Sequence, residues 1–132
     1  KDALAFVENL VFPALIDDFE EHCRKNAGKE VVIFESATIL EKPQFEGFGD
    51  KVILVDAPLS LRMERACARD GVCRDAITAR MSNQKLMNAL SQGETDARID
   101  AVIINDGAID ILEERIEKTM SDLFGDWRKD IV

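Results

Sequence analysis

Five of the nine arginines in the chain, Arg62, Arg65, Arg69, Arg74 and Arg80, fall within the twenty residues that begin at Leu61. Only Glu64, Asp70 and Asp75 oppose them, so this segment is net positive inside a protein of net charge −9. Arg62, Arg65 and Arg69 stand at i, i+3 and i+7, which lines them along one face of a helix. The planar guanidinium grips phosphate oxygens at two points and stays charged at any accessible pH. Two readings follow from the spacing: a phosphate-facing set, or a solvated charged face with intrahelical pairs. A second concentration of polar groups closes three short apolar runs: Glu35-Ser36, Asp56-Ala57-Pro58 and Asn105-Asp106-Gly107. In an open parallel sheet, ligands bind at the carboxyl ends of the strands. Strand ends also carry turn residues for purely local reasons.

The elements that must position these residues are readable from periodicity. Leu4, Val7, Leu10, Val11, Ala14, Leu15 and Phe19 have helical spacing, interrupted at Pro13, with Gly28 as a stop. Val31-Val32-Ile33-Phe34, Val52-Ile53-Leu54-Val55 and Ala101-Val102-Ile103-Ile104 are continuous apolar runs, the pattern of strands covered on both faces. A loop rich in Gly, Pro and Phe spans 42–50. Pro58 suits the first turn of a helix whose apolar side is Leu61, Ala66 and Cys67. A short helix is expected over 75–84, an amphipathic stretch over 85–98, and a last helix over 109–123 with Leu112, Ile116 and Met120 on one face. Strands separated by helices predict an α/β unit with a parallel sheet.

Composition removes several functions. The net charge of −9 and the absence of Tyr, with one Trp, argue against a nucleic-acid surface. No apolar run reaches the length of a membrane span, so no membrane role is expected. Cys23, Cys67 and Cys73 are odd in number and lack C-x-x-C spacing, which points to reduced thiols and a cytoplasmic setting. The single histidine, His22, leaves no His-based triad or zinc cluster, and no metal ligands are assigned. The phosphate-loop signature G-x-x-x-x-G-K-[ST] is absent. Its nearest approach, Gly28-Lys29, has Cys23 in place of the first Gly and Glu30 in place of Ser or Thr, and it precedes an apolar run instead of opening a helix.

A set of local motifs nevertheless occurs in a recognisable order. Asp56-Ala57-Pro58 is followed by Glu64-Arg65, Arg69-Asp70-Gly71-Val72, Ala79-Arg80-Met81 with Gln84, and Asp100-Ala101-Val102-Ile103 with Asn105-Asp106-Gly107. Upstream, Glu35-Ser36-Ala37 runs on to Leu40-Glu41. Over roughly 10–123 this order resembles the C-terminal part of the bacterial dephospho-CoA kinases. The resemblance implies a three-layer P-loop NTPase-like α/β fold with a parallel sheet, incomplete at its N-terminus and carrying a helical lid. One partial kinase domain would span 1–132, with a substrate-side helical segment at 1–28, core at 29–57 and 99–132, and lid at 58–98. It further implies transfer of the ATP γ-phosphate to the 3′-hydroxyl of dephospho-CoA, with Mg²⁺. Arg65, Arg69 and Arg80 would be the catalytic lid arginines, Asn105 and Gly107 would lie near the adenine, and Glu35 and Glu41 would face the acceptor.

The chain departs from the family pattern in places. Phe12-Pro13 stands where the family has His-Pro, Thr95 where it has a lysine, and extra residues lie between Gln84 and Glu94. The family's first strand and phosphate loop have no counterpart, so the chain alone is expected not to turn over ATP. A segment bearing the loop, or a second copy, would have to fill the gap in the sheet. Two alternatives stay open: another small P-loop kinase acting on a nucleotide or sugar-like acceptor, and a non-catalytic homologue that binds without chemistry.

Overall fold

The computed structural model describes residues 2–128; Lys1, at the start of the expected helical segment, and 129–132, at the end of the expected core segment, lie outside the described residues. The described residues form two compact units. One comprises the residues up to Glu46 together with 126–128, the other Gly47–Gly125.

The first unit is built on helix α1 (Asp2–Lys25), which runs unbroken through Pro13. The sequence pattern predicted an interruption there, since proline removes one backbone donor and crowds the preceding turn. Aromatic packing on both sides of Pro13 holds the helix together: Phe12 meets Phe45 edge-on at 5.0 Å, and Phe19 meets Phe34 at 5.0 Å. The helix ends at Lys25 and not at Gly28, because Asn26 closes it, donating from both its backbone N–H and its Nδ2 to the His22 carbonyl.

The face of α1 that packs is also not the expected one. Phe12, Ile16, Phe19 and Cys23 are half-buried, whereas Leu4, Val7, Leu10, Val11 and Leu15 are exposed. The first half of α1 is apolar nearly all round, so periodicity alone does not single out the covered side. Residues 31–34 are a further correction: they form no strand. Among the described residues the sheet has two strands and neither pairs with this run; it packs through Phe34 while Ile33 is 76% exposed. Two short 3₁₀ turns, Ile39–Glu41 and Pro43–Phe45, follow, and Phe45 is the buried residue of this unit.

The second unit is the α/β one. Strand β1 (Ile53–Asp56) pairs in parallel with β2 (Ala101–Ile104), Val55 opposite Ile103 and Asp56 opposite Ile104. A parallel pair needs a long crossover, supplied here by α2 (Leu59–Asp70), α3 (Arg74–Met81) and α4 (Lys85–Ser91). Helix α5 (Ile109–Phe124) packs back on β2. Helix α3 starts and stops earlier than the expected 75–84, and only the first half of the amphipathic 85–98 stretch is helical. Ala57, Met63, Ile77, Ile103 and Met120 form the buried core. Neither strand is covered on both faces as its apolar run predicted: Val55 on β1 and Val102 on β2 are exposed.

Asp100 sets where the two strands begin. Its carboxylate accepts the Val52 N–H at 2.8 Å and the Lys51 ammonium at 2.9 Å. At the opposite end the Asn105 N–H donates to the Asp56 carbonyl at 2.7 Å, so the two polar strand ends lie side by side.

Candidate functional site

Helix α2 leaves the end of β1 and carries three of the arginines singled out by spacing. Pro58 is its N-cap, and Gly71, in the left-handed region at φ 63°, closes its C-terminus with an N–H to the Cys67 carbonyl at 2.9 Å. Along this helix the arginines find three different partners. Arg62 Nε lies 3.8 Å from the Asp56 carboxylate at the end of β1 and makes no hydrogen bond. Arg65 Nη1 donates to the Asn105 carbonyl at the end of β2, at 2.7 Å. Arg69 clasps the neighbouring Asp70 with Nε at 2.6 Å and Nη2 at 3.1 Å.

Arg80, at the end of α3, reaches the same carboxylate, its Nη1 2.7 Å from Asp70 Oδ2. Asp70 therefore joins two guanidinium groups from two helices. The Arg69 hydrogen bond is the main reason its carboxyl titrates below the usual carboxylate range, and Arg80 adds to the effect. The same bond raises the Arg69 guanidinium further above its already high value. The pair is open to solvent, with the Arg69 and Arg80 side chains 75% and 64% exposed.

The loop after β2 is held from two sides. Arg65 takes the Asn105 carbonyl, and Arg115 from α5 donates to the Ile104 carbonyl and, at 2.6 Å, to Asp106. The Arg115 bond above all, with the charge of Arg65 in support, lowers the Asp106 carboxyl. Asn105 is half-buried, and Gly107 has only the Ile111 side chain near the place a Cβ would occupy.

The second unit thus brings Arg65 together with Asn105, and Arg69 together with Arg80, and places Gly107 in the loop that Arg65 and Arg115 hold. Glu35 and Glu41 stand in the first unit, both exposed, Glu35 in the extended run and Glu41 at the end of the first 3₁₀ turn. Sequence reading missed two participants. Asp70 counted as an opposing charge and as a motif position but not as a site residue, although an acid beside Arg69 and one helix away from Arg80 is a local signal. Arg115 carried no signal, because its partners are backbone and loop atoms brought near by the fold.

A family model described as Dephospho-CoA kinase matches residues 1–110. The chain belongs to the dephospho-CoA kinase family. Among curated relatives, each named Dephospho-CoA kinase, that of Deinococcus radiodurans is 40% identical over 74 residues, 56% of this chain and 33% of the relative. That of Bacteroides fragilis is 31% identical over 114 residues, covering 84% of the chain and 51% of the relative. That of Porphyromonas gingivalis is 35% identical over 95 residues, 72% and 46% of the two. The chain therefore spans a third to a half of the length of these dephospho-CoA kinases. No solved structure matches it. No helix among the described residues is long and apolar enough to cross a membrane.

Proposed function

We propose that this chain supplies the lid and part of the core of an enzyme that transfers the γ-phosphate of ATP to the 3′-hydroxyl of dephospho-CoA, giving coenzyme A and ADP in the cytoplasm. The acceptor oxygen forms the new bond to phosphorus, the bond to the ADP oxygen breaks, and the hydroxyl proton is released. Such transfers are driven chiefly by positioning and by neutralising the equatorial oxygens. The observation that carries the reading is the exposed pair of guanidinium groups, Arg69 and Arg80, gathered at one point of the lid segment.

In this reading Arg69 and Arg80 hold the transferring phosphate and Arg65 joins them through the donors its bond to Asn105 leaves over. Asn105 and Gly107 border the adenine, and Glu35 and Glu41 face the acceptor. The family also implies Mg²⁺. Among the described residues no group of three or more His, Cys, Asp or Glu side chains is gathered for a metal, so these residues do not by themselves fit the ion. The charge neutralisation ascribed to this chain falls to its arginines.

The complete fold would be the three-layer P-loop NTPase-like one, as a single domain. Its phosphate loop would come from a further segment, since the signature is absent from these 132 residues; a second copy could complete the sheet but not supply the loop. By themselves they are expected not to turn over ATP.

The test is ADP release by the protein at the full length its gene encodes, with dephospho-CoA set against a panel of nucleoside monophosphates and sugars. Turnover with dephospho-CoA that falls by about 10²- to 10³-fold in Arg69→Ala or Arg80→Ala supports the reading. Turnover only with another acceptor makes it a different small kinase. A non-catalytic binding role is the second reading, favoured by Phe12, whose ring is committed to packing against Phe45. Nucleotide binding without transfer to any acceptor would establish it.

A further inference from the structure

Asp70 stands at a place where a carboxylate is unfavourable unless something offsets it. It is the last residue of α2, where the carbonyl end of the helix repels negative charge. Two cations offset it, Arg69 from the same helix and Arg80 from the end of α3, ten residues further on. The carboxylate is 20% exposed, while the two guanidinium groups it holds reach well into solvent. Each guanidinium thus turns part of its donor set inward onto Asp70 and keeps the rest for a ligand. Free arginine side chains would have to be ordered when a ligand binds, at a cost in affinity for each. Here the ordering is done beforehand by one carboxylate.

We infer that Asp70 is a positioning residue which fixes Arg69 and Arg80 at the separation needed to grip one phosphate chain. The inference rests on the proposed phosphate-binding role of those arginines and adds the group that spaces them. It makes a counterintuitive claim about charge. A carboxylate beside an anion site should weaken anion binding by repulsion, whereas a positioning carboxylate strengthens it. Asp70→Glu separates the two effects, since it keeps the charge and moves the carboxylate by one methylene.

The experiment is titration of the 132-residue chain with inorganic tripolyphosphate by calorimetry, for the wild type, Asp70→Glu, Asp70→Asn and the double variant Arg69→Ala/Arg80→Ala. The wild type should bind, and the double variant should bind more weakly by about tenfold or more. If the double variant binds like the wild type, the lid reading itself falls. If it weakens, Asp70→Glu decides: about three- to tenfold weaker binding is expected from the lost preorganisation. Equal or tighter binding in Asp70→Glu overturns the inference while leaving the lid reading intact. Tighter binding in Asp70→Asn, with Asp70→Glu unchanged, would make Asp70 only a competitor for the arginines. Should both variants at Asp70 fail to fold, the Arg69 Nε–H resonance of the wild-type chain decides. A distinct, slowly exchanging signal without ligand supports a fixed guanidinium, and one merged with freely solvated arginines overturns it.

Discussion

Phe45 is the residue on which the first unit most depends, and Phe45→Ala gives the sharpest test of how that unit is held. Its ring is 7% exposed and lies 5.0 Å from Phe12 at 65°, and 6.2 Å from Phe34 at 35°. Truncating a buried Phe to Ala costs about 3–5 kcal/mol, the lost transfer term plus the cavity left behind. Edge-on aromatic contact accounts for about 0.5–1.5 kcal/mol of such a loss. Phe12 and Phe34 are themselves half-buried and can close partly over the gap. That places the expected cost near the lower end, about 3 kcal/mol, and the smaller truncation Phe45→Leu at about 1 kcal/mol.

The consequence for the site is specific. Phe45 ends the second 3₁₀ turn, and Glu41 ends the first; Lys42 between them bonds Glu8 on α1 at 2.6 Å. Releasing Phe45 therefore releases the segment proposed to face the acceptor. Trp127, the only tryptophan, belongs to the same unit and serves as the reporter in denaturant titrations. Hydrogen exchange across 39–46 gives the local readout. A loss below about 1 kcal/mol for Phe45→Ala, with unchanged exchange in that segment, would refute the view that the aromatic cluster holds it.

Two further expectations concern the second unit. Arg65→Lys keeps the charge but not the planar fork; losing the bond to the Asn105 carbonyl should speed amide exchange at Asn105–Gly107 several-fold while leaving β1 and β2 protected, and uniform exchange would show the loop is held by Arg115 alone. The Asp100 carboxyl is held below the usual range first by the Val52 N–H and then by Lys51. Its folded pKa is lowered, so its contribution is complete above the unfolded value and is lost as pH falls through the folded one. Asp100→Asn should therefore lower the urea midpoint near pH ~7 and flatten its decline in acid, the two forms converging only below the lowered folded pKa; parallel curves would remove Asp100 from the acid response.

Physical reasons explain which features the sequence disclosed. β1 and β2 were legible as apolar runs closed by their own turn chemistry, Asp56-Ala57-Pro58 and Asn105-Asp106-Gly107, and α5 as a helical spacing of Leu112, Ile116 and Met120 after the second turn. Val31-Val32-Ile33-Phe34 has the same local character, but a strand is a relation between two segments, and here no neighbour completes it. Pro13 misled because helix breaking is a local cost that tertiary packing of Phe12 and Phe19 overrides. The arginine face was visible from spacing alone. What each arginine touches was not, because the Asp56 carboxylate, the Asn105 carbonyl and Asp70 come near only once β1, β2 and α3 are in place.

That distribution of partners gives the arginine spacing its meaning. Exposure rises along the series, from 21% for the Arg62 side chain to 75% for that of Arg69. Arg62 and Arg65 reach back to the ends of β1 and β2, so the start of α2 is fastened to the edge of the sheet where ligands of parallel sheets bind. Arg69, one turn further, is 75% exposed and bonds Asp70, a carboxylate it shares with Arg80. A helix tied at one end by arginines that reach the strand ends and free at the other to offer cations to an anion needs both kinds of arginine on one face. The net charge of −9 does not work against this, because at physiological salt fields fade over about 8 Å and a ligand at Arg69 and Arg80 responds mainly to the groups beside it.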